Sequence, residues 1–263
     1  MIISSMQVDF PIIDSCNLGC KSCSHFSPLA DRAKPIPTSV LEKSLVLLKD
    51  SCGDIVSTIF IMGGEPMLHP DLPEIVRMTN ELFPRVERFV VSNMLMYRDI
   101  KEELVPVLVE TGTILGVSCY GNVNRRMIAE AEEDRKSRRL MVSVFGSTPA
   151  NFWSYPKSDG PVYPEDGFYK CPMKTCVTLR GNRLYKCSPV AYLQYPRVKF
   201  GIDVKASPDD WIDLRMVKSP DEVLEGISAP HTFCRHCDME SNRRIGWERS
   251  RCEIGEWFTR SEL

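Results

Sequence analysis

The residues best suited to chemistry lie near the start of the chain. Cys16, Cys20 and Cys23 form a Cys-x3-Cys-x2-Cys triplet within Cys16-Asn17-Leu18-Gly19-Cys20-Lys21-Ser22-Cys23. Thiolates this close are too crowded to pair as disulfides, and alone they leave a four-coordinate zinc ion one ligand short. They suit a 4Fe–4S cluster in which three irons take cysteine and the fourth stays open to another ligand. A second stretch, Gly63-Gly64-Glu65-Pro66, follows the apolar run 55–62. Glycines there let the backbone lie close to a ligand, although an ordinary strand-end turn would use the same residues.

Taken in order, the triplet and the Gly-Gly-Glu-Pro stretch resemble the radical S-adenosylmethionine (SAM) superfamily over residues 1–150. The resemblance implies an α/β fold, a partial (β/α)6 TIM-type barrel. It also implies Cys16, Cys20 and Cys23 as ligands of a 4Fe–4S cluster whose open iron chelates the amino and carboxylate groups of SAM. Gly63, Gly64 and Glu65 would receive the methionine amino group. Reductive cleavage of SAM would then yield a 5′-deoxyadenosyl radical that takes a hydrogen atom from substrate, with flavodoxin or ferredoxin as electron donor. Members of the family carry an aromatic residue just before the third cysteine. This chain has Ser22 there, and Phe26 is the candidate for the missing ring.

Cysteines return in the second half as Cys171, Cys176, Cys187 and the pair Cys234 and Cys237. Residues 179–185 read as two short strands around a Gly181-Asn182 turn, with cysteines on either side. Four gathered thiolates suit either a second iron–sulfur cluster or a structural zinc, and spacing alone does not choose. The pattern resembles the SPASM/twitch extension of radical SAM enzymes. That implies an auxiliary 4Fe–4S cluster on Cys171, Cys187, Cys234 and Cys237, with Cys176 competing for the place of Cys171. No cysteine follows Cys237 until Cys252, which points to the shorter, twitch form. Cys52 and Cys119 read as core thiols and His69 as structural, while His25 and His236 lie beside the expected clusters.

The layout resembles radical SAM members of aminoglycoside antibiotic biosynthesis, among them a neomycin-type epimerase and a dehydrogenase of 2-deoxy-scyllo-inosamine. Inversion needs a hydrogen donor other than the adenosyl group. Cys252, in a stretch 247–258 expected to be helical, is the candidate donor, which favours an epimerase acting on an aminoglycoside or aminosugar. Oxidation of an aminocyclitol or sugar hydroxyl to a ketone is the alternative. Peptide modification ranks third, because the first barrel strand is expected almost at Met1, without an added leader-binding domain. Asp159, Glu165, Asp166 and Glu248 are candidate contacts for a polycationic substrate.

These groups need a scaffold. Apolar runs at Val8–Ile13, 55–62, Phe89–Asn93, Thr113–Cys119 and Leu140–Phe145 alternate with helical patterns at 38–50, 72–83, 98–111 and 123–136. This is the rhythm of parallel βα units, with a sixth strand expected near the next segment. Chemistry in such barrels sits at the C-terminal strand ends. Ser92, Asn93 and Ser118 fall there and are candidates either for the ribose or carboxylate of SAM or for helix caps. The expected organisation is a barrel over 1–150, a proline- and aromatic-rich connecting loop over 151–170 that could line the substrate site, and an auxiliary-cluster region over 171–263. The net charge of −2 gives no basic stripe for nucleic acid. The apolar runs are too short to span a membrane, and the cysteine spacing suits metal in a reducing, cytoplasmic setting.

Overall fold

The computed structural model describes residues 4–30, 33–145, 152–154, 163–237, 239 and 243–258. Strand β1 (Met6–Ile13) is buried at every position but Gln7. It is followed by α1 (Thr38–Cys52), β2 (Val56–Gly63), α2 (Leu72–Leu82), β3 (Glu87–Ser92), α3 (Tyr97–Thr111), β4 (Ile114–Ser118), α4 (Arg125–Arg138) and β5 (Val142–Phe145). Helix α2 shows why the alternation holds: Leu72, Ile75, Val76 and Thr79 are buried at helical spacing and turn one stripe to the sheet. Helix α1 starts without a side-chain cap. Pro37 precedes the helix, and the Thr38 hydroxyl donates to Asp71 Oδ2 instead (2.9 Å).

The remaining elements are β6 (Phe152–Ser154), α5 (Pro164–Lys170), β7 (Cys176–Arg180), β8 (Arg183–Tyr185), α6 (Ser188–Ala191), α7 (Gln194–Phe200), β9 (Trp211–Asp213), α8 (Pro220–Ile227) and β10 (Arg243–Ile245). The main sheet runs β5-β4-β3-β2-β1-β7-β8-β9. β1 through β5 and β7 are parallel, and β8 and β9 are antiparallel additions. The mixed α/β architecture is therefore as expected, and the sixth parallel strand lies on the side of β1 away from β2. It is β7, which pairs with β1 in the register Val8–Val177 and Asp9–Thr178. β5 is short and leaves Val144 and Phe145 exposed, whereas β1 is buried at every position but Gln7 and needs a neighbour on each side. The sheet thus continues across the boundary expected at residue 171.

Two other expectations change. Part of 151–170 is ordered secondary structure rather than loop, since β6 pairs antiparallel with β10 and α5 covers 164–170. The stretch 247–258 is not a helix but an irregular strap with one 3-10 turn at Ile254–Glu256. Its backbone N–H groups at Arg251 and Glu253 go to the Glu256 carboxylate, and Cys252 takes a left-handed φ of 57°. A side chain that satisfies the local amides replaces the i to i−4 ladder a helix would need. Among the described residues, no helix is long and apolar enough to cross a membrane.

Candidate active site

A cavity of about 330 Å³ opens at the C-terminal ends of β1 to β4. Cys16, Cys20 and Cys23 line it from the loop after β1, Gly63, Gly64 and Glu65 from the end of β2, Ser92 and Asn93 from β3, and Ser118 from β4. The three thiols are close enough to feel one another's charge. Burial first, and the neighbouring Glu65 and Cys23 next, push Cys16 up to about 11, while Cys20 is raised further by burial and by Cys23. Taking up a metal cluster would therefore release thiol protons. Leu18 N and Asn93 Nδ2 donate to Cys16 Sγ (3.5 and 3.6 Å), and Trp247 Nε1 donates to Cys20 Sγ (3.3 Å). Soft thiols from one loop, facing a cavity and ringed by N–H donors, fit an iron–sulfur cluster. Among the described residues, no three His, Cys, Asp or Glu side chains are set to hold a single metal ion.

The glycines permit a close approach within the chain itself. A Cβ on Gly63 would lie 2.1 Å from Ile13 O, and one on Gly64 would lie 1.9 Å from Ser15 O. Gly64 N donates to Ile13 O and Glu65 N to Ser15 O (2.7 and 3.0 Å). The end of β2 is thus pressed against the chain that leads into the cysteine loop, and the missing side chains allow that approach. Glu65 is 1% exposed. Its Oε1 accepts from Met67 N and Ser92 Oγ (3.0 and 2.8 Å), and its Oε2 accepts from Asn93 N (2.8 Å). Burial raises it to about 7, although these three donors pull the other way. A carboxylate offers about four acceptor positions, so one remains for a ligand amine.

The second cysteine set lines the same cavity. Cys171, Cys176, Cys187, Cys234 and Cys237 all face it. Cys234 feels the charges of Cys237 and Cys171, and burial raises it to about 12. α5 brings Cys171 to this corner because Gly167 lets it pack on the 232–236 turn, where a Cβ would meet Cys234 O at 2.5 Å. Cys176 instead begins β7 and directs its thiol at Asp9 Oδ1 (3.7 Å). Of these two thiols, Cys171 is the one whose charge reaches Cys234.

Other expected residues are elsewhere. Cys252 is not among the described residues lining the cavity; its thiol donates to Pro28 O (3.6 Å), because the strap turns it towards the loop rather than the barrel mouth. Phe26 is 1% exposed and packs on Trp257 and Phe258, so it supplies no ring to the cavity. Glu165 and Asp166 are exposed on α5, Glu248 pairs with Lys21 (2.7 Å), and Asp159 lies outside the described residues. The cavity wall carries Lys174 and Lys186 instead. His25 accepts a place beside the site through Nδ1 and Gly63 O (2.8 Å), and His69 is structural, bonded to Ile36 O and Asp71 N.

Sequence reasoning missed Tyr120 and Asn124. Tyr120 lines the cavity after β4, and burial and the charges of Cys20, Cys23 and Cys16 raise its hydroxyl well above the usual range. Asn124 is fully buried and its Nδ2 donates to Asn93 O and Ser118 O (3.0 and 2.6 Å), joining the ends of β3 and β4. Their position just after an expected strand end was the available signal.

Residues 10–135 match the family model described as the Radical SAM superfamily. This stretch is a radical SAM domain, and the class implies a 4Fe–4S cluster and SAM. No curated protein matches the chain in sequence. Among solved structures, the chain is similar to BtrN in complex with AdoMet and 2-DOIA, with a TM-score of 0.56 and 12% identity over 89% of this chain and 93% of that one. It is also matched to BtrN in an open conformation (TM-score 0.48, 15% identity, 89% and 92% covered). A further match is Streptococcus suis SuiB bound to S-adenosylmethionine (TM-score 0.38, 15% identity, 89% and 69% covered). The first of these likenesses establishes the fold.

Proposed function

We propose that the chain is a radical SAM enzyme that oxidises a secondary hydroxyl of a small polyhydroxylated molecule, of the aminocyclitol or aminosugar class, to a ketone. The observation that carries this reading is the shared cavity, whose wall holds both cysteine sets. When bound on Cys16, Cys20 and Cys23, the cluster and SAM supply a 5′-deoxyadenosyl radical. Glu65, tied to Ser92 and Asn93, holds the ends of β2 and β3 rigid around the methionine end of SAM and keeps one acceptor position for its amine. Cys171, Cys187, Cys234 and Cys237 would hold an auxiliary cluster able to take the electron that a dehydrogenation leaves behind. The likeness to BtrN, whose structure holds AdoMet and 2-DOIA, supports the substrate class. Reduction by a flavodoxin or ferredoxin and a cytoplasmic location belong to the same reading.

Inversion with hydrogen return from a thiol is the second reading. Cys252 gives it no support, since its thiol faces Pro28 O. One observation favours it: the Cys176 thiol lines the cavity while Cys171 stands beside Cys234 and Cys237. Turnover in heavy water separates the two. Anaerobically reconstituted protein given reductant, SAM and candidate aminocyclitols should release 5′-deoxyadenosine and a carbonyl product free of solvent deuterium. Deuterium at an inverted carbon would select the second reading, and no 5′-deoxyadenosine with any substrate would refute both.

A further inference from the structure

The strap 247–258 lies across the cysteine loop rather than in the main core. Lys21 N donates to Glu248 O and Ser250 N to Gly19 O (both 2.9 Å), an antiparallel bridge centred on Cys20 and Arg249. Ser22 Oγ donates to Glu256 O (2.7 Å) and Trp257 Nε1 to Cys23 O (2.9 Å). Among the described residues, one bond from the strap reaches a sulfur of the cysteine triplet. Trp247 Nε1 donates to Cys20 Sγ at 3.3 Å, from 227 positions away in sequence. Cys20 is 7% exposed, so this bond sits where water competes little. An indole N–H is a donor only, and a thiolate ligand is the acceptor it meets here.

We propose that Trp247 is a positioning residue that tunes the cluster held by Cys16, Cys20 and Cys23, its N–H stabilising the reduced form and raising the midpoint potential. The inference rests on the reading that these three cysteines ligate a 4Fe–4S cluster. Reduction places more negative charge on the ligand sulfurs, so a fixed N–H donor favours the reduced state more than the oxidised one. The Leu18 and Asn93 donors serve Cys16 from nearby elements, and the Tyr120 hydroxyl serves Cys20 from the end of β4, whereas the Trp247 N–H reaches Cys20 from the strap and depends on its docking.

The test uses the full chain, reconstituted anaerobically, with an EPR-monitored redox titration of the signal that changes on adding SAM. Trp247→Phe keeps an aromatic ring and removes the N–H. Trp257→Phe removes the strap's bond to Cys23 O but leaves the bond to sulfur. Trp247→Phe should retain its iron and lower the ratio of reduced to oxidised cluster roughly tenfold at fixed potential, about 59 mV for a one-electron couple. Trp257→Phe should leave the potential unchanged. An unchanged potential in Trp247→Phe overturns the proposal, and so does an equal shift in both variants, which would mean strap loosening alone. Should Trp247→Phe lose iron, Trp247→His restores a ring donor: recovery of iron and potential supports the bond, and no recovery overturns it. Wild-type protein that takes up no SAM-responsive cluster refutes the ligand reading itself, before any variant is made.

Discussion

Arg180 at the end of β7 is the single residue whose loss should most clearly separate the hairpin from the cysteine loop. Its guanidinium forms two parallel bonds to Asp14, both 2.8 Å, and lies 4.6 Å over the Tyr192 ring. Tyr195 donates a third bond to Asp14 (2.6 Å). Asp14 comes two residues before Cys16, so this pair anchors the base of the loop. The carboxylate side chain is 7% exposed and the arginine 19%. Removing one partner of a buried pair costs about 3–5 kcal/mol, because the other charge stays buried and uncompensated. Here Tyr195 still serves Asp14 and Arg180 keeps some solvent contact, so Arg180→Met should cost about 3 kcal/mol, the lower end. For a domain of this size that is a fall in Tm of about 6–12 °C. Thermal unfolding of the metal-free protein, followed by circular dichroism, measures it. Asp14→Asn combined with Arg180→Met should lose at least about 1.5 kcal/mol less than the sum of the single changes. A loss below about 1 kcal/mol, or additive single and double variants, would refute the pair's role.

Three further outcomes follow from the site. Glu65→Gln turns an amide donor against one of the three donors the carboxylate now accepts, and should lower stability by about 1–3 kcal/mol in a urea titration while weakening SAM retention. Gly64→Ala should fail to give soluble folded protein, since its Cβ would sit 1.9 Å from Ser15 O on backbone that cannot yield; normal expression and melting would contradict the close approach. Cys252→Ala should leave SAM cleavage and product stereochemistry unchanged by chromatography, because the thiol faces Pro28 O and not the cavity.

Much of the scaffold was legible because its causes are local. Helical spacing of Leu72, Ile75, Val76 and Thr79 marks α2 without any knowledge of its neighbours. The Gly181-Asn182 turn marks the β7–β8 hairpin for the same reason, with Gly181 at a left-handed φ of 60°. The partner of β7 was not legible. Strand pairing across β1 joins Val8 to Val177, and nothing within either strand states which edge the other will choose. The strap was misread as a helix because the competing interaction is the Glu256 carboxylate, which satisfies amides at Arg251 and Glu253 only once the segment is folded back.

The site divides along the same line. Residue types and short spacing alone determined the Cys16, Cys20 and Cys23 triplet, the Gly63-Gly64-Glu65 turn and the existence of a second cysteine set, since metal-ligand chemistry is written in neighbouring positions. Tertiary structure decided which of those groups share a cavity, that Cys171's charge reaches Cys234, and that the Cys252 thiol turns to Pro28 O instead of the cavity lining. It also introduced Tyr120, Asn124 and Trp247, whose partners lie outside their own stretches. The physical reason is that a hydrogen bond such as Trp247 Nε1 to Cys20 Sγ depends on distance in space, and its two ends lie 227 residues apart along the chain.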